Sequence, residues 1–256
     1  MADRLKDKVV VVTGGTKGIG KGVVLMTARE GARVVFGGRD AEGGLALQEE
    51  VKSRLQAEAL FVQGDIGTEI ACKELIAKTI ERFGRIDGLV NNAGAFPRAT
   101  ILDTDEALFD QVFDVNAKSA FFCSKYAIEQ MKKSGGGSIV HMGSTHGFGG
   151  IEDLAAYSCA KGAMHTLSKH IARNYARFGI RSNWVTVGWV ATEGEATRIA
   201  KDGQTLADME QEGRELVPSG RLQTAEDMAY GAIYFLADES SQVTGTDLHI
   251  SGGFNI

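Results

Sequence analysis

Short apolar runs alternate along the chain with longer stretches in which apolar residues recur at helical spacing. The first run is a β-branched segment ended by Gly14 and Gly15, which is typical of a strand buried on both faces. The runs predicted as strands are residues 8–13, 32–36, 59–62, 86–90, 138–142, 182–187 and 248–250. The stretches predicted as helices are residues 19–30, 41–55, 70–83, 105–133, 155–178 and 225–237.

This alternation of strand and helix indicates right-handed βαβ units. It predicts an α/β fold with a doubly wound, seven-stranded parallel sheet and helices on both faces. Such sheets bind ligands at the carboxyl ends of their strands. We expect one domain over residues 1–256, in which residues 192–218 fit no strand and form an insertion that covers the substrate.

The charge pattern favours small molecules as partners. The 256 residues include 28 Lys and Arg against 33 Asp and Glu, for a net charge of −5, and no block of like charges occurs. A nucleic-acid or anionic-membrane partner is therefore not expected. No apolar run approaches the ~18 residues that a membrane span needs, and the amino terminus does not resemble a signal peptide.

The cysteine and histidine patterns predict neither disulfides nor a metal site. Cys72, Cys123 and Cys159 are odd in number, widely spaced and without a C-x-x-C pair. The five histidines form no H-E-x-x-H or other i, i+4 ligand pair. We expect reduced thiols and a cytoplasmic protein.

A glycine-rich loop joins the first strand to the first helix. It reads T-G-G-T-K-G-I-G over residues 13–20, which suits a tight turn and the approach of backbone N–H groups to a pyrophosphate. The heptapeptide G-T-K-G-I-G-K also fits the start of a P-loop. That interpretation fails at Gly22, because a P-loop needs a Ser or Thr hydroxyl there to hold Mg²⁺.

Four motifs occur in a specific order on the predicted elements. The T-G-x-x-x-G-x-G loop is followed by Asn91-Asn92-Ala93-Gly94 after the fourth strand, by Ser144 after the fifth, and by Tyr157-x-x-x-Lys161 in a helix. With Asn116 in D-V-N-A, this chain resembles the classical short-chain dehydrogenase/reductase family over residues 6–253. The resemblance implies a Rossmann-like fold, a nicotinamide cofactor and homotetramers or homodimers.

The chemistry of the four candidate catalytic residues agrees with this resemblance. Tyr157 and Lys161 lie one helical turn apart, and an ammonium beside a phenol of pKa about 10 lowers that pKa. Tyr157 is then the general acid or base that exchanges a proton with a ketone or secondary alcohol. Ser144 is placed to donate a hydrogen bond to the same oxygen. In the family, Asn116 holds a water that relays protons to Lys161, and Lys161 also holds the nicotinamide ribose.

The resemblance also implies a set of cofactor-binding residues spread over the strand ends. They are Gly14, Thr16, Lys17, Gly18, Ile19, Gly20, Arg39, Asp65, Ile66, Asn92, Ala93, Gly94, Tyr157, Lys161, Gly188, Val190 and Thr192. Asp65 is expected at the adenine amino group, as in the family, or as a helix cap.

The end of the second strand favours NADP over NAD. An acidic residue there takes the ribose 2′-OH of NAD, whereas an arginine accommodates the 2′-phosphate of NADP. Gly38 stands where the NAD-selecting aspartate is expected, and Arg39 follows, with Lys17 as a second cation. The alternative is that Asp40 reaches the ribose, which selects NAD.

Two positions depart from the family pattern. Val187 replaces the usual proline before Gly188, so a less rigid loop is expected, and Gly143 stands where a second serine is common. His146, Phe148, Trp189 and residues 192–218 are candidates for the substrate wall. The sequence thus predicts an NADP(H)- or NAD(H)-dependent oxidoreductase of a secondary alcohol or ketone. A cofactor-binding regulatory or scaffold protein without turnover is the alternative.

Overall fold

A computed structural model describes residues 3–255, which form a single seven-stranded parallel sheet in the order β3-β2-β1-β4-β5-β6-β7. The strands are β1 Val9–Thr13, β2 Arg33–Gly38, β3 Ala59–Gln63, β4 Gly88–Asn91, β5 Gly137–Met142, β6 Ile180–Val187 and β7 Asp247–Ile250. The α/β, doubly wound fold is therefore confirmed. The strand order reverses between β1 and β4, and this is where such sheets bind ligands.

The α-helices that surround the sheet follow the predicted periodicity closely. They are α1 Gly18–Arg29, α2 Ala41–Leu55, α3 Glu69–Phe83, α4 Glu106–Phe113, α5 Ser119–Ser134, α6 Ala155–Tyr175, α7 Glu193–Lys201, α8 Leu206–Leu216 and α9 Ala225–Leu236. The helix predicted at residues 105–133 is divided by a π-helical turn, Asp114–Lys118, between α4 and α5. Short 3₁₀ turns occur at Thr145–Gly147, Ala176–Phe178 and Asp238–Ser240.

Apolar side chains from alternate positions of each strand enter two separate cores. Val10 and Val12 of β1 face a core completed by α1, α2 and α9, whereas Val11 faces one completed by α3, α5 and α6. Because the strands are buried on both faces, their sequences are continuously apolar rather than alternating.

The segment over residues 192–218 contains two helices that the sequence analysis did not assign. Thr192 caps α7 by accepting a hydrogen bond from the Glu195 N–H, and Thr205 with Asp208 forms a capping box at the start of α8. A small core of Ile199, Met209, Val217 and Leu222 holds the two helices together. We call this segment, residues 192–218, the flap.

No helix in residues 3–255 combines the length and the apolar character needed to cross a bilayer.

Candidate active site

A cavity of about 820 Å³ opens at the carboxyl ends of the strands and extends under the flap. One end is lined by the glycine loop, and the other by Ser144, Tyr157 and Lys161. Every residue predicted to bind the cofactor lines this cavity. Of the predicted catalytic residues, only Asn116 does not line the cavity, because its side chain is fully buried.

The glycine loop is held tightly against the end of β4. Thr13 Oγ1 accepts hydrogen bonds from the N–H groups of Asn92 and Ala93, each at 3.0 Å. The Asn92 amide donates in return to the carbonyl oxygens of Thr13 and Gly14, also at 3.0 Å. Gly14 has φ +64°, and a Cβ on Gly20 would lie 2.1 Å from the Gly14 carbonyl oxygen. Glycine is therefore required at both positions.

The first turn of α1 faces the cavity with its N–H groups available to a ligand. Lys17, the N-cap residue, makes no side-chain capping hydrogen bond, and no acidic residue lies in the first turn. An uncapped helix N-terminus beside an exposed lysine attracts phosphate groups. The donor set at this end of the cavity therefore fits the pyrophosphate of a dinucleotide.

Tyr157, Ser144 and Lys161 converge at the opposite end. Ser144 follows β5, and Tyr157 and Lys161 project from the first two turns of α6. Lys161 Nζ lies 5.6 Å from the centroid of the Tyr157 ring and donates a hydrogen bond to the Met142 carbonyl oxygen at 2.9 Å. The spacing of Tyr157 and Lys161 along one helix face thus brings the two side chains together, as predicted.

The pKa of Tyr157 shifts in the direction opposite to the prediction. Burial raises the pKa of Tyr157 to about 12, and the hydrogen bond with Ser144 only partly opposes this rise. The same burial lowers the pKa of Lys161 to about 8. The ammonium is directed at the Met142 carbonyl and lies over the ring rather than at the hydroxyl, so desolvation dominates.

Asn116 lies in the π-helical turn between α4 and α5. Its amide donates to the carbonyl oxygens of Ala95 at 2.7 Å and Val112 at 2.8 Å. Its Oδ1 atom is buried and accepts no hydrogen bond from residues 3–255. A Cβ on Gly94 would lie 3.1 Å from this oxygen and 3.8 Å from Lys161 Nζ. The oxygen therefore faces the space beside Lys161, and the widened turn provides that orientation.

Arg39 and Asp40, which follow β2, have side chains in different surroundings. Arg39 is exposed, lines the cavity and forms no ion pair within the described residues, 3–255. Asp40 is the N-cap of α2, where its Oδ1 accepts a hydrogen bond from the Gly43 N–H at 3.0 Å. A Cβ on Gly38 would lie 2.7 Å from Thr16 Cγ2. Arg39 thus lines the cavity, whereas Asp40 does not.

Backbone hydrogen bonds hold the loop after β6, which lacks the usual proline at position 187. The Ala191 N–H donates to the Gln223 carbonyl at 2.9 Å, and the Gln223 N–H donates to the Trp189 carbonyl at 3.0 Å. A Cβ on Gly188 would lie 2.5 Å from Gln223 Oε1. The path of this loop is therefore fixed by contacts with residue 223, and Val187 introduces no break in it.

The substrate side of the cavity contains two of the three named wall candidates. His146 and Trp189 line it, and the His146 and Tyr157 ring centroids are 6.4 Å apart. Phe148 does not line it, because its ring packs on His165, with centroids 4.9 Å apart, outside the cavity. Glu195 and Arg198, from the predicted segment 192–218, also line it. Phe96, Arg98 and Asp153 line it as well and were not predicted from the sequence.

Within residues 3–255, no group of three or more His, Cys, Asp or Glu side chains is placed to hold a metal ion. Cys72 and Cys123 are buried free thiols, and Cys159 is an exposed one.

Comparisons with known proteins agree with this geometry. Residues 14–255 match the family model described as enoyl-(acyl carrier protein) reductase. An uncharacterized oxidoreductase of Thermotoga maritima is 38% identical over 246 residues, 96% of each chain. An NADP-dependent (R)-specific alcohol dehydrogenase of Lentilactobacillus kefiri is 34% identical over 99% of each chain. The crystal structure of levodione reductase superposes with a TM-score of 0.90 at 28% identity, covering 97% of this chain and 98% of that one.

The chain belongs to the classical short-chain dehydrogenase/reductase family. It is an oxidoreductase that acts on CH–OH donors.

Proposed function

We propose that this protein transfers a hydride reversibly between NADP(H) and a secondary alcohol or ketone, with Tyr157 as the general acid and base. The observation that carries this proposal is the convergence of Ser144, Tyr157 and Lys161 at one end of a cavity whose other end is the glycine loop. The single cavity accommodates a dinucleotide along its length and a small substrate beside Tyr157. In this proposal the whole chain is one catalytic domain, and the flap covers the substrate.

Two exposed cations support NADP as the preferred cofactor. Lys17 and Arg39 line the cavity near the end of β2, and neither forms an ion pair within residues 3–255. Asp40 is engaged as a helix cap, so it is not available to select NAD through a ribose hydroxyl. The alcohol dehydrogenase of Lentilactobacillus kefiri, which is 34% identical, is NADP-dependent.

The other predicted cofactor contacts follow the length of the cavity. In this proposal, Asp65 and Ile66 contact the adenine, Asn92, Ala93 and Gly94 line the adenosine side, and Gly188, Val190 and Thr192 contact the nicotinamide. Thr192 lies against the glycine loop, since a Cβ on Gly18 would be 3.5 Å from its side chain.

The bound cofactor supplies or accepts the hydride, and the protein handles the proton. At neutral pH a Tyr157 hydroxyl with a pKa of about 12 is protonated, which is the form that donates a proton to a carbonyl oxygen during reduction. The Ser144 hydroxyl donates a hydrogen bond to the same oxygen as negative charge develops on it.

Lys161 and Asn116 complete the route for the proton. Lys161, whose pKa is about 8, exchanges protons near neutrality, and Asn116 Oδ1 is a free acceptor beside it. In oxidation the steps reverse, and Tyr157 must lose its proton to accept that of the alcohol.

Turnover assays with NADPH and NADH on a panel of ketones and secondary alcohols test this function. We expect Tyr157→Phe to lower kcat by at least about 100-fold, the usual contribution of a general acid, while the Kd of NADPH stays within twofold. Tyr230→Phe, which removes an exposed hydroxyl on α9, is the matched control and should retain activity. Tight cofactor binding without turnover across the panel would instead support the regulatory alternative.

Cytoplasmic location and homo-oligomeric assembly, as a tetramer or dimer, are further parts of this proposal. The three free thiols support a reducing compartment. Phe109 on α4 and Phe121 on α5 are 43% and 53% exposed, which supports burial of these helices against a second copy.

A further inference from the structure

The carboxylate of Glu195 has two oxygen atoms in different environments. Glu195 lies in the first turn of α7, lines the substrate side of the cavity, and its side chain is only 12% exposed. Trp189 Nε1 donates to its Oε1 at 3.2 Å. Arg198 donates to the same Oε1 twice, from Nε at 3.0 Å and Nη2 at 2.9 Å. Three donors therefore fix the orientation of the carboxylate through one oxygen.

The second oxygen, Oε2, accepts no hydrogen bond from any group in residues 3–255. It is also not among the fully enclosed polar atoms that lack a partner, so it is accessible to a ligand or to water, and Glu195 is a residue of the cavity lining. A nearly buried carboxylate oxygen with open access on one side is a strong acceptor whose remaining partner must come from the cavity.

Glu195 lines the same cavity as Ser144, Tyr157 and Lys161. Asp153 lies close enough to both Arg198 of the flap and His146 to raise the pKa of each, although burial lowers the pKa of His146 overall. His146 in turn packs edge-on to Tyr157, with ring centroids 6.4 Å apart. A substrate whose carbonyl meets Tyr157 therefore shares its cavity with Glu195.

The charges on this side of the cavity disfavour anionic substrates. Besides Lys161, the lining on this side contains two arginines, Arg98 and Arg198, and four carboxylates, Asp153, Glu195, Asp202 and Glu212. Arg98 is paired with Asp153 at 2.8 Å, and Arg198 with Glu195 at 2.9 Å and Asp202 at 3.2 Å. Neither Arg98 nor Arg198 is therefore free to hold a phosphate or carboxylate of the substrate. A cationic substrate is also disfavoured at Glu195, because the Arg198 guanidinium already contacts that carboxylate.

We propose that Glu195 determines substrate specificity, with its Oε2 accepting a hydrogen bond from a hydroxyl that the substrate carries beyond the reacting carbon. The substrate class is then neutral polyhydroxylated ketones and the corresponding polyols. This inference rests on the proposed oxidoreductase function and assigns the substrate of that same site.

The variant Glu195→Gln inverts the hydrogen-bonding character of this position without changing its size. The donors on Trp189 and Arg198 require an oxygen, so the amide oxygen takes the place of Oε1 and the NH₂ group points into the cavity. A substrate hydroxyl at this place would have to turn and accept from the NH₂ group, so its charge-assisted hydrogen bond to the carboxylate is lost. Glu193→Gln makes the same charge change at an exposed position in the same turn and is the matched control.

The effect on substrate specificity is measured with pairs of ketones that have the same number of carbon atoms. Both members of a pair undergo the same reduction of a carbonyl at carbon 2. The probes are erythrulose against 2-butanone and ribulose against 2-pentanone, reduced with NADPH. We expect the wild type to favour the hydroxylated ketone of each pair, and Glu195→Gln to lower the ratio of the two kcat/KM values at least tenfold. Glu193→Gln should leave that ratio within twofold. Glu195→Ala, which removes the acceptor without adding a donor, serves if the amide variant is unstable.

The possible outcomes distinguish the role of Glu195 from the proposed oxidoreductase function on which it rests. A wild type that reduces simple ketones as well as hydroxylated ones, or a Glu195→Gln variant with an unchanged ratio, overturns the role of Glu195 and leaves the oxidoreductase intact. A wild type that turns over no ketone or alcohol with either cofactor overturns both.

Discussion

The indole of Trp184 occupies the space that a side chain at residue 143 would need. A Cβ on Gly143 would lie 2.0 Å from both Cε2 and Cζ2 of Trp184, well inside van der Waals contact. Trp184 is fully buried, and its Nε1 donates to Thr186 Oγ1 at 2.9 Å, so the ring cannot turn away without losing this bond. The glycine at a position where the family commonly has serine is thus explained by the tryptophan on the neighbouring strand.

The variant Gly143→Ala is expected to lower the free energy of unfolding by about 3 kcal/mol, because the new methyl group overpacks a full core. Urea denaturation measures this loss. Gly149→Ala on the same connection is the control, since its Cβ would meet nothing within 4 Å, and it should change stability by less than about 0.5 kcal/mol.

A double-mutant cycle with Trp184→Leu identifies the cause. The double variant should be at least about 1 kcal/mol more stable than the sum of the two single losses predicts, because the smaller side chain makes room for the methyl group. Strict additivity would show that the strain at residue 143 has another origin.

The variant Arg39→Ala is expected to weaken NADPH binding at least about tenfold, with little change for NADH, because only NADPH carries the 2′-phosphate. Fluorescence titrations at fixed salt measure both constants. Arg54→Ala, at an exposed position on α2 whose arginine pairs with Glu50, is the control for the loss of a positive charge. Equal weakening of both cofactors would contradict the assignment of Arg39, and NADH binding as tight as NADPH in the wild type would contradict the preference for NADP.

The variant Lys161→Met is expected to change the pH dependence of stability. Burial lowers the pKa of Lys161 to about 8, below its usual value of 10.5. Below pH 8 both folded and unfolded chains carry this proton, so the cost of burying the ammonium is fully present. As pH rises from 8 toward 10.5, the folded chain releases the proton first, and the free energy of unfolding increases.

The free energy of unfolding of the wild type minus that of Lys161→Met should therefore rise by about 2 kcal/mol between pH 7 and 9.5. Denaturation of the cofactor-free proteins at a series of pH values measures this difference. A difference that stays constant, or falls with pH, would contradict the buried ammonium. Tyr157, whose raised pKa affects stability only above pH 10, does not contribute in this range.

The order of strands and helices was predictable because each element carries its own pattern. The six predicted helices match seven observed ones to within a few residues, and α2 matches at both ends. The π-helical turn at Asp114–Lys118 was not predictable, because it depends on the tertiary hydrogen bond from Asn116 to the Ala95 carbonyl. The flap helices had a local signal, the capping box of Thr205 and Asp208, but their apolar faces are too short to dominate the pattern.

The site was predictable where a motif specifies it. The predicted cofactor contacts in the glycine loop, together with Tyr157 and Lys161, all line the cavity, whereas the substrate wall depends on how the flap folds over it. Phe148 lies close to Ser144 in sequence but packs on His165, outside the site. The direction of the Tyr157 pKa shift also required the structure, because burial outweighs the neighbouring charge.

The hydrogen bonds that join Thr13 and Gly14 to Asn92 and Ala93 affect the thermodynamics of cofactor binding. They fix the glycine loop from the neighbouring strand end, through four hydrogen bonds made entirely within the protein. The conformational entropy of the loop is therefore lost when the chain folds and not when the dinucleotide arrives. The dinucleotide would therefore bind to a preorganised loop, and its affinity would reflect the contacts that it makes there.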